Sequence, residues 1–137
     1  MAGKVILVVD DEEINLEMIA AVLESNGYHV LKVSDASRAI EIVDEQKRSI
    51  SAILMDLIMP VCDGFIAIRT IKGKSVTRLI PIIALTASSD KESVIKAVTA
   101  GADEYLTQPF NPEDLLERVK AACKISDFNK RWNVYAK

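Results

Sequence analysis

The sequence predicts an α/β fold: a doubly wound, five-stranded parallel sheet with five helices. Three observations predict it. Short apolar runs rich in β-branched residues recur along the chain and alternate with segments of helical periodicity. The runs are continuous, as in strands buried on both faces of a parallel sheet. Acidic residues fall at the ends of the first and third runs, where an open parallel sheet binds ligands.

The first strand is Lys4 to Val9 (KVILVV), stopping at Asp10-Asp11. Two sets then recur at helical spacing: Ile14, Met18, Ala21 and Val22, and Leu16, Ile19, Ala20 and Leu23. This helix ends at Ser25-Asn26-Gly27, with Gly27 as a left-handed cap. His29 to Val33 is the second strand. Ala36 to Gln46 is the second helix, with Ala36, Ala39, Ile40 and Val43 inward. Ala52 to Met55 (AILM) is the third strand, ending at Asp56. A turn at Met59-Pro60 leads to a short helix, Phe65 to Lys72.

Pro81 to Thr86 (PIIALT) is the fourth strand, since Pro is tolerated at a strand's first residue. Ser89-Asp90-Lys91-Glu92 fits a capping box, and its helix runs to Ala100 and stops at Gly101. Glu104 to Leu106 is the fifth strand. Asn111-Pro112-Glu113-Asp114 combines a capping side chain, Pro at the first helical position and acids facing the helix dipole. The last helix carries Leu115, Leu116, Val119, Ala122 and Cys123. The globular part closes near Ile125, giving a domain over 1–125. The polar remainder, 126–137, carries Phe128, Trp132 and Tyr135. It reads either as a helical extension or as the start of a linker.

The chain has 137 residues, room for one domain with a sizeable core. Half of it is hydrophobic and 5% aromatic, so the core is built from Ile, Val, Leu and Ala. A net charge of −3 gives no basic footprint, and no nucleic-acid contact is expected of this domain. Cys62 and Cys123 are not in a CxxC arrangement, which fits a reducing cytoplasm. One histidine, His29, excludes a His-rich metal site. Met1-Ala2-Gly3-Lys4 opens no apolar signal segment, and no run is long enough to span a bilayer.

With strand order 2-1-3-4-5, strands one and three are neighbours, and Asp10, Asp11 and Asp56 converge. Crowded carboxylates repel one another, and a hard divalent cation relieves that repulsion. Mg²⁺ suits such a site because it accepts a few carboxylates, keeps several waters and shares its shell with a phosphate. An Asp carboxylate can also act as a nucleophile and form an acyl phosphate. Each residue has a plainer reading. An Asp-Asp pair after a strand can be a helix cap plus a solvated acid, Asp56 a loop acid, and Thr86 a strand-end hydroxyl in a local turn. Their placement at strand ends of one βα array favours the site.

Several spaced motifs then resemble the receiver domain of two-component response regulators, across about Lys4 to Ile125. They are Val8-Val9-Asp10-Asp11-Glu12, Leu54-Met55-Asp56-Leu57-Ile58-Met59-Pro60 with Asp63-Gly64, Ala84-Leu85-Thr86-Ala87, and Gly101-Ala102-Asp103-Glu104-Tyr105-Leu106. The resemblance implies a flavodoxin-like, CheY-like fold in which Asp56 is the phosphoacceptor. It implies that Asp11 binds Mg²⁺ directly and Asp10 directly or through water. The carbonyl of Ile58 would complete the protein's share of the metal shell. Thr86 would bond the phosphoryl group, and the small Ala87 would leave room for its entry. Tyr105 would be the switch aromatic that turns inward with Thr86; a half-buried strand Tyr without that role is the alternative.

One departure from the family pattern is serious. A Lys normally precedes the Pro-Phe of the loop after strand five, and here the loop is Thr107-Gln108-Pro109-Phe110. The Pro109 peptide bond is expected to be cis, as in the family. Gln108 donates a neutral hydrogen bond where a charge-assisted one, roughly twice as strong, is expected. Asp56 should therefore have a higher resting pKa than in a Lys-bearing relative, and phosphorylation should couple more weakly to the switch.

The resemblance implies a histidine kinase or phosphotransfer protein as phosphodonor and a downstream effector domain or protein as receiver of the signal. The output surface would include Lys91, Ile95, Lys96, Thr99 and Tyr105, which also read as a solvated helix face. A homodimer through the fourth and fifth helices is a further assembly the family uses. The alternative function is a pseudo-receiver that binds a partner without phosphorylation, supported by Gln108. A flavodoxin-like or phosphatase enzyme is disfavoured: the chain lacks a Gly-rich phosphate loop and a catalytic His or Cys motif.

Overall fold

A computed structural model describes residues 3–57, 64–86 and 91–132. The expected strands and helices are present, in a single parallel sheet of order β2-β1-β3-β4-β5. The strands are β1 (Val5–Val9), β2 (His29–Val33), β3 (Ile50–Asp56), β4 (Ile82–Thr86) and β5 (Glu104–Thr107). The helices are α1 (Glu13–Glu24), α2 (Ala36–Gln46), α3 (Gly64–Lys72), α4 (Lys91–Ala100) and α5 (Pro112–Arg131), with a 3-10 turn at Thr77–Leu79.

The sheet separates two cores because side chains alternate across a strand. Leu7, Val9, Ile53, Met55, Ile82 and Ala84 face α2, α3 and α4. Ile6, Val8, Ala52, Leu54, Ile83 and Leu85 face α1 and α5. Both layers are aliphatic, as the scarcity of aromatics requires.

Several details differ from the sequence reading. In α1 only one of the two apolar sets is buried: Leu16, Ile19, Ala20 and Leu23 pack on the sheet, while Ile14 is 83% exposed and Met18 is also exposed. Ile42 is buried in α2, and Ile40, expected inward, is only half-buried. β3 begins at Ile50 because a register shift between Val5 and Ile6 lets the strand pair further back on β1. The segment after Ile125, which the sequence leaves open as a helical extension or a linker start, is helical: α5 runs unbroken to Arg131. The Met59-Pro60 turn, Cys62, Ser89, Asp90 and Tyr135 lie outside the described residues.

Helix ends follow the expected chemistry. Asn111 Oδ1 accepts from the Asp114 amide at 2.8 Å, with Pro112 in the first turn. Asp35 caps α2 by accepting from the Arg38 amide at 2.8 Å. Gly27 (φ 91°) and Gly101 (φ 118°) end α1 and α4 in the left-handed region.

Candidate functional site: a carboxylate cluster at the strand ends

Strand register builds the site. Val9 of β1 pairs with Met55 of β3, so the next residues, Asp10 and Asp56, fall side by side. β3 pairs Asp56 with Leu85 of β4, one residue before Thr86. β4 in turn pairs Thr86 with Thr107 of β5, one residue before Gln108. Three backbone bonds tie these ends together: Asp10 N–H to Val33 O at 3.1 Å, Leu57 N–H to Leu85 O at 3.2 Å, and Gln108 N–H to Thr86 O at 2.8 Å. The Gln108–Pro109 peptide is cis, as expected.

Asp10, Asp11 and Asp56 each offer a carboxylate oxygen within 4.8 Å of the others. Asp10 is 1% exposed, Asp56 half-buried and Asp11 exposed. Asp10 Oδ1 accepts from the Glu12 amide at 2.9 Å, which holds the carboxylate across the turn into α1. Its other oxygen, Oδ2, is buried with no hydrogen-bond partner. Burial pushes the Asp10 carboxyl above its ordinary value; the Glu12 amide opposes that shift, and the charge of Asp11 adds to it.

An orphaned anionic oxygen inside a cluster of acids is the donor set of a hard cation. Oxygen-only ligands with one solvent-open side fit Mg²⁺, which keeps part of its water shell. The residues present therefore fit the metal expected from the sequence. Ile58, expected to contribute its carbonyl, and Ala87, expected to leave room for phosphate, lie outside the described residues.

Thr86 is buried and closes β4. Gln108 is half-buried just beyond β5, and Tyr105 stands exposed on β5. Lys91, Ile95, Lys96 and Thr99 are exposed along α4. Lys96 Nζ lies 5.7 Å from the centroid of the Phe65 ring on α3.

One site-shaping residue was not singled out by the sequence reading beyond its place in a motif. Gly64 donates to Leu57 O at 3.0 Å and so closes the loop that leaves Asp56. A Cβ at Gly64 would collide with the Asp56 carbonyl and lie 2.8 Å from Leu57 Cα. The Asp63-Gly64 pair carried a turn signal, but the close approach depends on tertiary packing.

Known proteins share the fold. The family model described as the response regulator receiver domain matches residues 6–120. The phosphate regulon transcriptional regulatory protein PhoB of Pseudomonas aeruginosa is 39% identical over 124 residues, covering 90% of this chain and 53% of that protein. PhoB of Escherichia coli is 37% identical over 119 residues, covering 87% and 51%. The chain thus spans about half the length of the curated relatives it matches. Among solved structures, the receiver domain of a sensor histidine kinase from Pseudomonas aeruginosa has a magnesium ion coordinated in its active site cleft. It superposes with a TM-score of 0.83 at 36% identity, covering 90% of this chain and 99% of that one. A response regulator receiver domain protein from Clostridium thermocellum gives 0.84 at 33% identity, covering 91% and 98%. No described helix is long and apolar enough to cross a membrane. Agreement in sequence over most of the chain, and in backbone over nearly all of each solved domain, makes this chain a member of the response regulator receiver domain family.

Proposed function

We propose that the chain is a phospho-accepting switch that takes a phosphoryl group onto Asp56 from a histidine kinase or phosphotransfer protein. The observation that carries this reading is Asp10 Oδ2, buried without a hydrogen-bond partner inside the Asp10–Asp11–Asp56 cluster. A site freed from chemistry has no need of that arrangement.

In this reading Asp10, Asp11 and Asp56, with the Ile58 carbonyl that the family resemblance implies, would hold Mg²⁺. The bound metal would neutralise charge on the transferring phosphoryl oxygens. An Asp56 carboxylate oxygen attacks phosphorus in line, the P–N bond to the donor histidine breaks, and the nitrogen keeps the electron pair. The product is an acyl phosphate, which water later hydrolyses. Thr86, at the end of the adjacent strand, donates its hydroxyl to the phosphoryl group. Tyr105 then turns inward and alters the surface formed by α4, β5 and α5. Gln108 supplies an amide where relatives carry a cation, so transfer is slower and coupling weaker.

The protein works in the cytoplasm, without membrane or nucleic-acid contact by this domain, and signals to a downstream effector domain or protein. A homodimer through α4 and α5 is compatible with that role. Gln108 favours one other reading, a pseudo-receiver that binds its partner without phosphorylation. Incubation with Mg²⁺ and a small phosphodonor separates the two. A mass gain of one phosphoryl group, abolished in Asp56→Ala, supports the switch, and an unchanged mass supports the pseudo-receiver.

A further inference from the structure

The last helix carries an apolar seam that the sheet does not use. Leu115, Val119, Ala122, Cys123 and Ser126 of α5 are buried against the domain. On another face, Ala121, Ile125, Phe128 and Trp132 follow one another at intervals of four, three and four residues. Ile125 is 51% exposed, Phe128 58% and Trp132 65%. The Phe128 and Trp132 rings lie 6.2 Å apart at 49°, so they form one continuous ledge. In the sequence the same spacing continues to Tyr135.

A four-three alternation of apolar residues is the spacing by which one helix packs along another, knobs into holes. Two contacts tie the seam's helix to the domain. Asn129, on the buried side, donates to Leu79 O at 3.0 Å, and Lys4 pairs with Asp127. The family model's match ends at residue 120, just before the first seam residue, Ala121.

Charge selects the occupant. Lys120, Lys124 and Arg131 line one flank of the seam, and the one acid between 120 and 132, Asp127, is engaged by Lys4; the acids Asp114 and Glu117 adjoin only its N-terminal end, beside Ala121 and Ile125. Lys124 and Arg131 stand one heptad apart on the same flank. This basic stretch belongs to a chain whose net charge is −3. Two copies of the seam would bring like charges together. An amphipathic helix with acidic flanks would bring opposite charges against Lys124 and Arg131 while burying Ile125, Phe128 and Trp132.

We infer that the C-terminal half of α5 is a docking seam for an acid-flanked amphipathic helix of another protein. The inference does not depend on phosphorylation of Asp56.

Trp132 is the sole tryptophan, so its emission reports occupancy directly. The probe is a three-heptad peptide with Leu at the seam positions and Glu at the flanking positions. A matched peptide with Lys at the flanks is the control. The Glu peptide should shift Trp132 emission to the blue, bind at least tenfold more tightly than the Lys peptide, and weaken as salt rises. Lys124→Glu combined with Arg131→Glu should remove most of that difference. Phe128→Ser, an exposed change that leaves the core intact, should reduce binding by either peptide. Equal binding of the two peptides, or no shift with either, overturns the inference. A blue shift that grows with protein concentration alone, with a doubled mass by light scattering, would assign the seam to a second copy and overturn it equally.

Discussion

The backbone amide of Gln108 donates to the carbonyl of Thr86 at 2.8 Å, fixing the loop after β5 against the end of β4. The position where the family resemblance implies a Lys is thus held in place by main chain, whatever its side chain. Gln108→Lys should restore a charge without rebuilding the loop. A charge-assisted bond exceeds a neutral one by about 1 kcal/mol, or roughly fivefold in rate. Phosphorylation by a small phosphodonor with Mg²⁺ should quicken by that factor, read as the rate of mass gain. Equal rates in the two proteins would remove Gln108 from the chemistry.

Asp10 sets a pH dependence. Its carboxyl is raised above the ordinary value near 3.8, first by burial. Ionisation therefore costs more in the folded state than in the unfolded chain. The cost is absent at pH values where both states are protonated. It appears as pH climbs past the ordinary value and is complete above the raised folded one. Asp10→Asn should thus raise metal-free stability at neutral pH, by about 1 kcal/mol on the scale of a buried unsatisfied group. The gain should vanish in strong acid. Mg²⁺ should stabilise the wild type and much less the variant. Thermal melts at pH 7 and in strong acid, with and without Mg²⁺, check all three statements.

Gly64 is required by space, not by backbone angle. A methyl group there would meet the Asp56 carbonyl and Leu57 Cα, both main chain, so neither can swing aside. Gly64→Ala should destabilise the domain by about 1–3 kcal/mol. It should also slow phosphorylation, because the displaced segment carries Asp56. Urea unfolding and the phosphodonor assay measure the two effects. A variant as stable as wild type would show that the loop yields freely.

Periodicity and strand-end chemistry were legible in the sequence, and tertiary choices were not. Asp10 and Asp56 could be placed together only once the order 2-1-3-4-5 was taken, since another doubly wound order would part β1 from β3. Two apolar sets on α1 fitted helical spacing equally well, and only contact with α5 and the sheet decides that Leu16 and Ile19 go in while Ile14 stays out. In α2 the neighbours Ile40 and Ile42 pose the same ambiguity, resolved toward Ile42. The start of β3 at Ile50 depends on a register shift that no local pattern encodes. Of the site, the acids and Thr86 were readable from position. The close approach of Gly64 and the orphaned oxygen of Asp10 are properties of packing.

Lys72 joins elements that the sequence did not connect. Its ammonium donates to Arg78 O at 2.8 Å, to Ile80 O at 2.9 Å and to Asp103 Oδ2 at 2.7 Å. The same Asp103 oxygen accepts from the Ile82 amide at 2.8 Å, so one cation secures the end of α3, the approach to β4 and the start of β5. The Lys72 side chain also passes beneath Gly101, where a Cβ would lie 2.8 Å from its Cγ. Lys72→Met keeps the stem and removes all three donors, leaving two carbonyls and a carboxylate to find water. That change should cost about 1–3 kcal/mol. It should be non-additive with Asp103→Asn, since each substitution breaks the same ion pair. Urea titrations of the two single variants and the double variant supply the test. Additive losses, or a loss below about 0.5 kcal/mol for Lys72→Met, would show that this junction is held by the aliphatic core alone.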